Sequence, residues 1–207
     1  MSQFFHIHPE NPQKRLIAQT CDIIRKGGVI VYPTDSGYAL GCQIGNKGAM
    51  DKIRRIRQLD EDHNFTLVCR DLSEISTYAK MNNSVYRAIK ANTPGAYTFV
   101  LPATKEVPRR LQHPKRKTIG LRIPNNLIAL ALLDELDEPL MSSTMIFPSE
   151  DMPMTDPEDI VERIGKQVDL IIDGGFGGAE PTTVIEFVDD MPEVTRVGLG
   201  DPSPFEG

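Results

Sequence analysis

Short apolar runs that end at turn-forming residues alternate along the chain with segments whose apolar residues recur at helical spacing. Apolar runs bounded by Gly, Pro, Asn or Asp are typical of buried strands, whereas helical spacing indicates amphipathic helices. The pattern predicts strands at 29–32, 38–44, 65–69, 97–101, 118–123, 139–144, 168–172, 183–188 and 193–197, and a terminal strand around 6–8.

Polar residues that favour helix starts divide the other segments into six predicted helices. Asn11 followed by Pro12 predicts the start of the first helix, and Gly27 predicts its end. Asn46 is expected to cap a helix that runs to about Gln58. The remaining helices are expected to start at Ser73, Asn83, Pro124 and Asp156, and the last to end at Gly165.

Strands and helices are mixed throughout the chain, without a strict repeat of strand, helix and strand. This order predicts an α/β (α+β) fold, a single domain in which helices flank one twisted mixed sheet. A chain of 207 residues falls within the range of one large domain and can bury a sizeable core without disulfides.

The composition argues against a membrane protein and indicates a reducing compartment. The longest uninterrupted apolar run, 127–133, has seven residues, whereas a helix needs about 20 to span a bilayer. The first residues lack the apolar segment of a secretory signal. Cys21, Cys42 and Cys69 are odd in number and lack metal or redox spacing. We therefore expect reduced thiols and a cytoplasmic location.

Charge is distributed unevenly along the chain. Residues 1–123 carry 20 Lys and Arg against 10 Asp and Glu, whereas 124–207 carry 3 against 19, and the whole chain has a formal net charge of −6. A basic half indicates a polyanionic partner. Alternatively, the two halves interleave in the fold and their charges mix in space. The sequence leaves both interpretations open.

Two basic stretches are candidates for contact with RNA phosphates. One is the outer face of the predicted helix 46–58, and the other is "KEVPRRLQHPKRK" at 105–117, which holds six Lys or Arg against one Glu. Basic charge at this density is typical of phosphate-binding surfaces, although solvated basic faces are also common. The candidate RNA-binding residues are Lys52, Arg54, Arg55, Arg109, Arg110, Lys115, Arg116 and Lys117.

Hydroxyl side chains cluster at the ends of three predicted strands. The clusters lie at 34–36, 142–144 and 182–183. Hydroxyl groups can hydrogen-bond a ligand at a strand end, but they can also cap a turn. Three clusters in one chain favour a pocket. The glycine-rich loop "DGGFGG" at 173–178 matches neither a dinucleotide-binding nor a P-loop motif, and by itself it favours a flexible turn.

No pair of nucleophile and base is recognisable in the sequence. The chain has no G-x-S-x-G element, and its four histidines lie in no known motif. His6 and His8 have no third ligand nearby, so we expect no metal site there. The catalytic residues therefore stay unassigned, and no resident cofactor is predicted.

Five motifs in order resemble the YrdC/YciO family of threonylcarbamoyl-adenylate synthases. "YPTDSGYALGC" at 32–42 resembles the family's P-T-[ED]-T-x-Y-G-L-G, and "TPGAYTFVLPA" at 93–103 resembles its P-G-P-x-T-x-[VI]-L. "TIGLRIPN", "IIDGG…EPTTVIEF" and "VTRVG" resemble three further motifs. The similarity covers about 14–200, which we expect to form a YrdC-like domain, and it is closest to the YciO branch.

The resemblance implies a sheet around a large, concave and positively charged cavity. Enzymes of the family join threonine, bicarbonate and ATP, with Mg²⁺, into threonylcarbamoyl-adenylate for tRNA modification, and members also bind double-stranded RNA and tRNA. We therefore expect ATP or AMP and a small amino acid as ligands. The ligand-binding residues carried over from the motifs are Thr34, Tyr38, Arg57, Thr98, Arg122, Ser142, Thr144, Thr182, Thr183 and Arg196.

Two departures from the synthase pattern weaken the expected chemistry. Synthases carry K-x-R-P after the second helix and S-x-N at a strand end. Here Arg57 and Leu59 stand for the Lys and Arg, and Thr144 and Ile146 stand for the Ser and Asn. Leu59 and Ile146 each remove polar groups, and losing one contact to developing charge costs on the order of 3 kcal/mol, about a hundredfold in rate.

These observations lead to one functional prediction and one alternative. The chain is predicted to bind double-stranded RNA or tRNA, to hold a nucleotide in its cavity, and to act in RNA, tRNA or ribosome maturation. The alternative is a weak L-threonylcarbamoyladenylate synthase, a nucleotidyltransferase that uses ATP, threonine and bicarbonate.

Overall fold

The computed structural model describes residues 2–60, 63 and 65–207. Its strands are β1 (Gln3–His6), β2 (Ile30–Thr34), β3 (Gly37–Gln43), β4 (Thr66–Val68), β5 (Tyr97–Pro102), β6 (Thr118–Arg122), β7 (Leu140–Thr144), β8 (Leu170–Asp173), β9 (Thr183–Val188) and β10 (Met191–Arg196). Its α-helices are α1 (Lys14–Arg25), α2 (Lys47–Arg57), α3 (Leu72–Tyr78), α4 (Asn83–Ala91), α5 (Leu127–Leu136) and α6 (Pro157–Ile164). Short 3₁₀ turns lie at Arg109–Leu111 and Ser203–Phe205.

The strands form one mixed sheet in the order β1-β8-β2-β3-β7-β4-β6-β5-β9-β10. The sheet contains both parallel pairs, such as β4 and β6, and antiparallel pairs, such as β5 and β6. The mixed α/β single domain predicted from the sequence is confirmed. β8 lies between β1 and β2, and β7 lies between β3 and β4, so strands from the acidic and basic halves of the chain interleave in the sheet.

Apolar side chains pack on both faces of the sheet. Val31 belongs to a core shared with α2, α3 and α4, whereas its neighbours Ile30 and Tyr32 point the other way, towards α1 and α5. On this second face α1 and α5 pack over β2 and β3. The same face of β4, β5, β6 and β9 carries small and polar residues, and it forms the floor of the cavity described below.

Helix caps explain where several elements begin. The Asn46 side chain accepts a hydrogen bond from Ala49 N over 3.0 Å, and the Asp156 side chain accepts one from Glu158 N over 2.9 Å, so both predicted caps are confirmed. Such a cap satisfies an N–H group that the helix itself leaves free.

Other boundaries differ from the prediction. Asp71 rather than Ser73 caps α3, and Asn126 rather than Pro124 caps α5, because these side chains reach the free N–H groups of Glu74 and Ala129. The first helix begins at Lys14 after Gln13 and not at Asn11, α4 is capped by Asn82, and the terminal strand is Gln3–His6 rather than 6–8.

A tight hairpin turn places the first hydroxyl cluster at the end of β2. Thr34 pairs with Gly37 across Asp35 and Ser36. Gly37 has a φ of +130°, and a Cβ there would lie 2.9 Å from Pro153 Cβ and from the Gly178 carbonyl oxygen. Glycine is therefore required for both reasons. Within the described residues, no helix is long and apolar enough to cross a membrane.

Candidate functional site

A cavity of about 270 Å³ lies on the uncovered part of the sheet, and we call it the sheet cavity. Strand register builds its floor, because Thr66 pairs with both Ser142 and Gly120, and Gly120 pairs with Val100. Side chains two residues apart on a strand share a face. The wall consists of Arg57, His63, Phe65, Thr66, Thr98, Val100, Thr118, Gly120, Ser142, Ser143, Thr144, Ile146, Thr182, Val184 and Arg196.

A smaller hollow of about 30 Å³ extends the sheet cavity towards the hairpin turn. It shares wall residues such as Thr98 and Thr182 with the larger part, and it adds Thr34, Tyr38 and Arg122. Nine of the ten residues expected to bind a ligand thus line one continuous space.

Arg57 links two elements at one end of the sheet cavity. Its Nη1 donates to the Ser143 hydroxyl over 2.6 Å, and its Nε donates to the Ile146 carbonyl over 3.1 Å. Burial lowers the pKa of Arg57 from its ordinary value. An arginine side chain nevertheless keeps its proton in proteins, so its positive charge faces the cavity.

Arg122 is buried, with 6% of its surface exposed, and its charge is balanced inside the protein. Its Nη2 forms an ion pair with Asp35, and its Nη1 donates to the Ser36 hydroxyl over 2.9 Å. Asp35 also accepts from Asn125 N over 3.0 Å. Within the described protein, Arg122 Nε has no hydrogen-bond partner. A buried donor without a partner is costly to the fold.

Two hydroxyl groups at the cavity already donate their protons to backbone carbonyls. Ser142 donates to the Leu40 carbonyl over 3.0 Å, so Tyr32, 2.7 Å from Ser142 Oγ, must donate to it. Thr34 donates to the Gly37 carbonyl over 2.6 Å. Thr34 Oγ1 also accepts from Ser36 N and lies 3.2 Å from Ser36 Oγ, so this hydroxyl closes the turn and is saturated within the fold. Ser142 can still accept one hydrogen bond from a ligand.

Arg196 orders a chain of hydroxyl groups on the opposite wall. Its Nε and Nη2 donate to the Thr182 carbonyl over 3.0 and 2.8 Å, and Nη2 also donates to Thr182 Oγ1 over 3.0 Å. Thr182 Oγ1 lies 2.7 Å from Thr98 Oγ1. Only one proton is used between these two hydroxyls, so the other stays available for a ligand. Burial lowers the pKa of Arg196.

Further hydroxyl donors face the larger part of the sheet cavity. Ser143 accepts from Arg57 and keeps its own proton. Among the described residues, the hydroxyls of Thr66, Thr118 and Thr144 have no protein partner to which they donate. Together with two guanidinium groups, these donors suit a ligand that is rich in acceptor oxygens, such as a phosphate or a carboxylate.

Thr183 was expected to line the cavity, and this expectation was wrong. The residue is fully buried, its hydroxyl donates to the Gly200 carbonyl over 2.5 Å, and Thr183 Oγ1 accepts from Gly198 N over 2.9 Å. Thr182 and Val184 face the cavity instead. The Thr183 side chain points to the other face of the sheet, where its hydrogen bond to the Gly200 carbonyl holds it.

The glycine-rich loop at 173–178 supports the hairpin turn and lies outside the cavity wall. The Tyr38 hydroxyl donates to the Gly175 carbonyl over 2.5 Å and accepts from Gly174 N over 3.1 Å. Burial raises the pKa of Tyr38 to about 12, so this hydroxyl remains a donor at neutral pH. Tyr38 thus joins the loop to the edge of the smaller hollow, and residues 173–178 are not among those that line either part of the sheet cavity.

Several wall residues were missed by the sequence prediction. Thr66, Thr118 and Gly120 lie on the central strands, and their single polar or small side chains form no cluster that would mark them. Thr118 and Gly120 lie on the same strand as Arg122 and at even spacing from it, so strand alternation would have placed them on the same face. His63 also lines the cavity, and burial together with Arg57 and Arg54 lowers its pKa.

The two departures from the synthase pattern occupy different environments. Ile146 lies on the cavity wall, where its carbonyl is held by Arg57. Leu59 packs against the apolar core and lies outside the wall. The Ile146 position can therefore alter ligand contacts directly, whereas Leu59 stabilises the core.

The eight candidate RNA-binding cations divide into two groups. Four have partners within the protein: Lys52 lies 3.4 Å from Asp169, Arg116 lies 2.6 Å from Glu186, Arg54 stacks on Phe65 at 5.0 Å, and Arg110 donates to the Gly45 carbonyl. The other four are exposed and have no ion pair with described residues; they are Arg55, Arg109, Lys115 and Lys117. Lys115 and Lys117 directly precede Thr118 on the cavity wall.

Comparison with known proteins assigns the chain to a family. The family model for Sua5, YciO and YrdC proteins, described as "Telomere recombination", matches residues 22–198. The chain belongs to the Sua5/YciO/YrdC family. Within the Sua5/YciO/YrdC family, the chain is 62% identical to the Escherichia coli (strain K12) protein YciO, described as uncharacterized, over 99% of this chain and all of that one.

Solved structures of the family share this fold. The crystal structure of E. coli YciO has a TM-score of 0.97 at 61% identity, and the match covers all of both chains. P. abyssi Sua5 complexed with L-threonine has a TM-score of 0.86 at 24% identity, over 95% of this chain and 58% of that one, which shows the common fold. The threonylcarbamoyl-AMP synthase of Halorhodospira halophila is 29% identical over 78% of this chain and 84% of its own.

Proposed function

We propose that this chain binds a nucleotide of the ATP or AMP type in the sheet cavity. The observation that carries the proposal is the chemistry of the wall. Arg57 and Arg196 face the cavity together with at least five hydroxyl donors or acceptors, and no carboxylate is among the described wall residues. Cations and hydroxyl donors without competing carboxylates favour phosphate oxygens.

A small amino acid is the second ligand that we propose. Its carboxylate would be held in the smaller hollow, where Arg122 supplies a positive charge. If ATP enters with Mg²⁺, the phosphates and water would hold the ion, because no carboxylate is available on the described wall. The chain needs no resident cofactor for either ligand.

We also propose that the chain binds double-stranded RNA or tRNA, with a role in RNA, tRNA or ribosome maturation in the cytoplasm. The exposed cations Arg55, Arg109, Lys115 and Lys117 support this, since phosphate contacts dominate the affinity for nucleic acids. Lys117 directly precedes Thr118, which lies on the wall of the sheet cavity.

Weak threonylcarbamoyl-adenylate synthesis is the alternative function. Its support is the H. halophila relative, whose printed name is threonylcarbamoyl-AMP synthase. Ile146 argues against full activity, because an apolar side chain stands on the cavity wall where synthases of the family carry Asn. Positioning and charge stabilisation carry this type of chemistry, so one lost polar contact has a large effect.

Calorimetric titration of the purified chain with AMP and with ATP and Mg²⁺, each with and without threonine, tests the nucleotide proposal. We expect at least one nucleotide to bind and Gly120→Val to abolish binding, because a Cβ at Gly120 would already lie 3.3 Å from Thr66 Oγ1 and Thr98 Cγ2. Gly48→Ala on α2 is the control, since its Cβ meets only an ordinary contact. Absence of binding by both nucleotides to the unmodified chain at millimolar concentration would overturn the proposal.

A further inference from the structure

Two open hollows lie at the opposite end of the sheet from the sheet cavity. One, of about 330 Å³, lies beside the end of α1 and includes Lys26 and Lys52, and the other, of about 390 Å³, lies beside α2 and includes Arg55 and Lys166. Lys52 and Asp169 belong to both hollows, so the two adjoin, and together they form one grooved surface. We call it the amino-end groove, because β2 and β8 begin there.

The amino-end groove is separate from the sheet cavity. The two share no lining residue. β2 leads from Ile30, two residues after Gly28 in the groove, to Thr34 in the smaller hollow. Five strand residues span roughly 13 Å at about 3.3 Å per residue. A ligand in one place therefore does not compete directly with a ligand in the other.

The charge of the groove is strongly positive for a protein whose net charge is −6. Four cations, Lys26, Lys52, Arg55 and Lys166, face one carboxylate. That carboxylate, Asp169, already accepts from Val29 N over 2.8 Å and lies 3.4 Å from Lys52. A part-exposed ion pair of this kind contributes little, so Lys52 can turn towards a phosphate at small cost.

The ends of two helices beside the groove do not account for these cations. α1 and α6 end here, and their last carbonyl groups favour positive charge. Arg25 and Arg163 already lie in the last turns of these helices. Lys26 and Lys166 follow the helix ends, are exposed, and project beside the groove.

We propose that the amino-end groove binds the phosphate backbone of duplex RNA. This inference rests on the proposed RNA binding and names its main contact surface. The groove is long and open, whereas small molecules are usually held in enclosed pockets. None of the residues that line its described part is aromatic, so it offers no surface for stacking unpaired bases. Spaced cations without aromatic residues match a duplex that is recognised by its backbone.

Fluorescence anisotropy with a labelled RNA duplex at several salt concentrations tests the inference. Four phosphate contacts predict a log–log slope of about −3.6, with about −0.9 per contact taken from DNA. The variant Lys26→Glu with Lys166→Glu removes two contacts and should reduce the slope to about −1.8. Lys26→Gln with Lys166→Gln should give the same reduction. This neutral variant keeps the test valid if the charge-reversed form does not fold.

Two further variants make the outcomes decisive. Lys80→Glu with Lys90→Glu changes the net charge equally at exposed positions away from the groove, and it should leave the slope unchanged. Arg109→Glu, Arg110→Glu, Lys115→Glu and Lys117→Glu together test the segment at the cavity mouth. If the salt slopes of the groove variants equal that of the control, and only the segment variant has a reduced slope, the inference is wrong and the proposal of RNA binding stands. If the unmodified chain binds no duplex at low salt, RNA binding itself fails, and the groove would then be tested against an acidic protein.

Discussion

The Arg57 guanidinium donates to the Ser143 hydroxyl over 2.6 Å, and this bond joins the last residue of α2 to the penultimate residue of β7. The same group holds the Ile146 carbonyl over 3.1 Å. Because Ile146 and Ser143 both lie on the wall of the sheet cavity, one side chain fixes the shape of that end as well as its charge.

Arg57→Lys is expected to weaken nucleotide binding about tenfold or more while the charge is kept. A lysine ammonium is a point charge and cannot hold the hydroxyl and the carbonyl in the fixed geometry of a guanidinium. Affinity for AMP and ATP is measured by calorimetry, with Arg87→Lys on α4 as the matched control. Equal affinities in the two variants would show that the planar group has no role in positioning.

Ile146→Asn is expected to raise pyrophosphate release from ATP that depends on threonine and bicarbonate. In the unmodified chain this activity should be weak or absent, because the wall lacks the polar group that synthases carry there. The H. halophila synthase, measured in parallel, is the reference, and Ile146→Val is the control that adds no polar group. Turnover of the unmodified chain comparable to the reference would contradict the argument.

Leu59→Arg is expected to lower stability rather than to restore activity. Leu59 packs on the apolar core, so its loss should cost about 1 kcal/mol in the free energy of unfolding. Urea unfolding measures the cost, and the combination with Ile146→Asn shows whether the two positions act together. Higher activity in the double variant than in Ile146→Asn would show that position 59 also reaches the ligand.

The sequence was sufficient to predict most of the elements and nine residues that line the sheet cavity. Asn46 and Asp156 were found as caps because a side-chain acceptor before a helical pattern is a local signal. Arg57 and Arg122, which lie far apart along the chain, were found through the motifs of the family. The mixed sheet followed from the irregular alternation of strands and helices.

The remaining errors have a common physical origin. Asp71 and Ser73, like Asn126 and Pro124, are neighbouring candidates for a helix start, and only the hydrogen bond to a free N–H decides between them. Thr183 was misplaced because strand parity is set by pairing with distant strands. The amino-end groove could not be predicted, since Lys26, Lys52 and Lys166 meet only in the folded chain.

Asn46→Ala and Gly48→Ala should shift stability in opposite directions. Asn46→Ala removes the cap of α2 and should cost about 1 kcal/mol, because Ala49 N then loses its acceptor. Gly48→Ala should add up to about 1 kcal/mol, since alanine restricts the unfolded chain and its Cβ meets only Asn46 Oδ1 at 3.6 Å. Urea midpoints measure both effects, and a loss of stability in Gly48→Ala would contradict the helix geometry.

Alkaline pH should destabilise the fold through buried phenol and thiol groups, and Tyr32 is one of them. Burial raises the pKa of Tyr32 to about 12, although its bond to Ser142 acts in the opposite direction. An unfolded tyrosine titrates near 10, so the unfolded chain releases this proton first as the pH rises. The stabilisation is therefore complete below about pH 10 and is lost between about 10 and 12. Linkage gives a loss of about 1 kcal/mol from this residue at pH 11.

Tyr32→Phe separates this effect from general alkaline unfolding. The substitution removes the titrating group, and Ser142 keeps its hydrogen bond to the Leu40 carbonyl over 3.0 Å, so the fold should tolerate it. Urea midpoints from pH 8 to 11 should fall less steeply in Tyr32→Phe than in the unmodified chain. Tyr86→Phe, which removes a half-buried phenol from α4, is the matched control. Parallel curves for the unmodified chain and Tyr32→Phe would show that the Tyr32 proton does not contribute, and the remaining slope would then be assigned to Tyr38, Cys21 and Cys42, whose pKa values burial also raises to about 12.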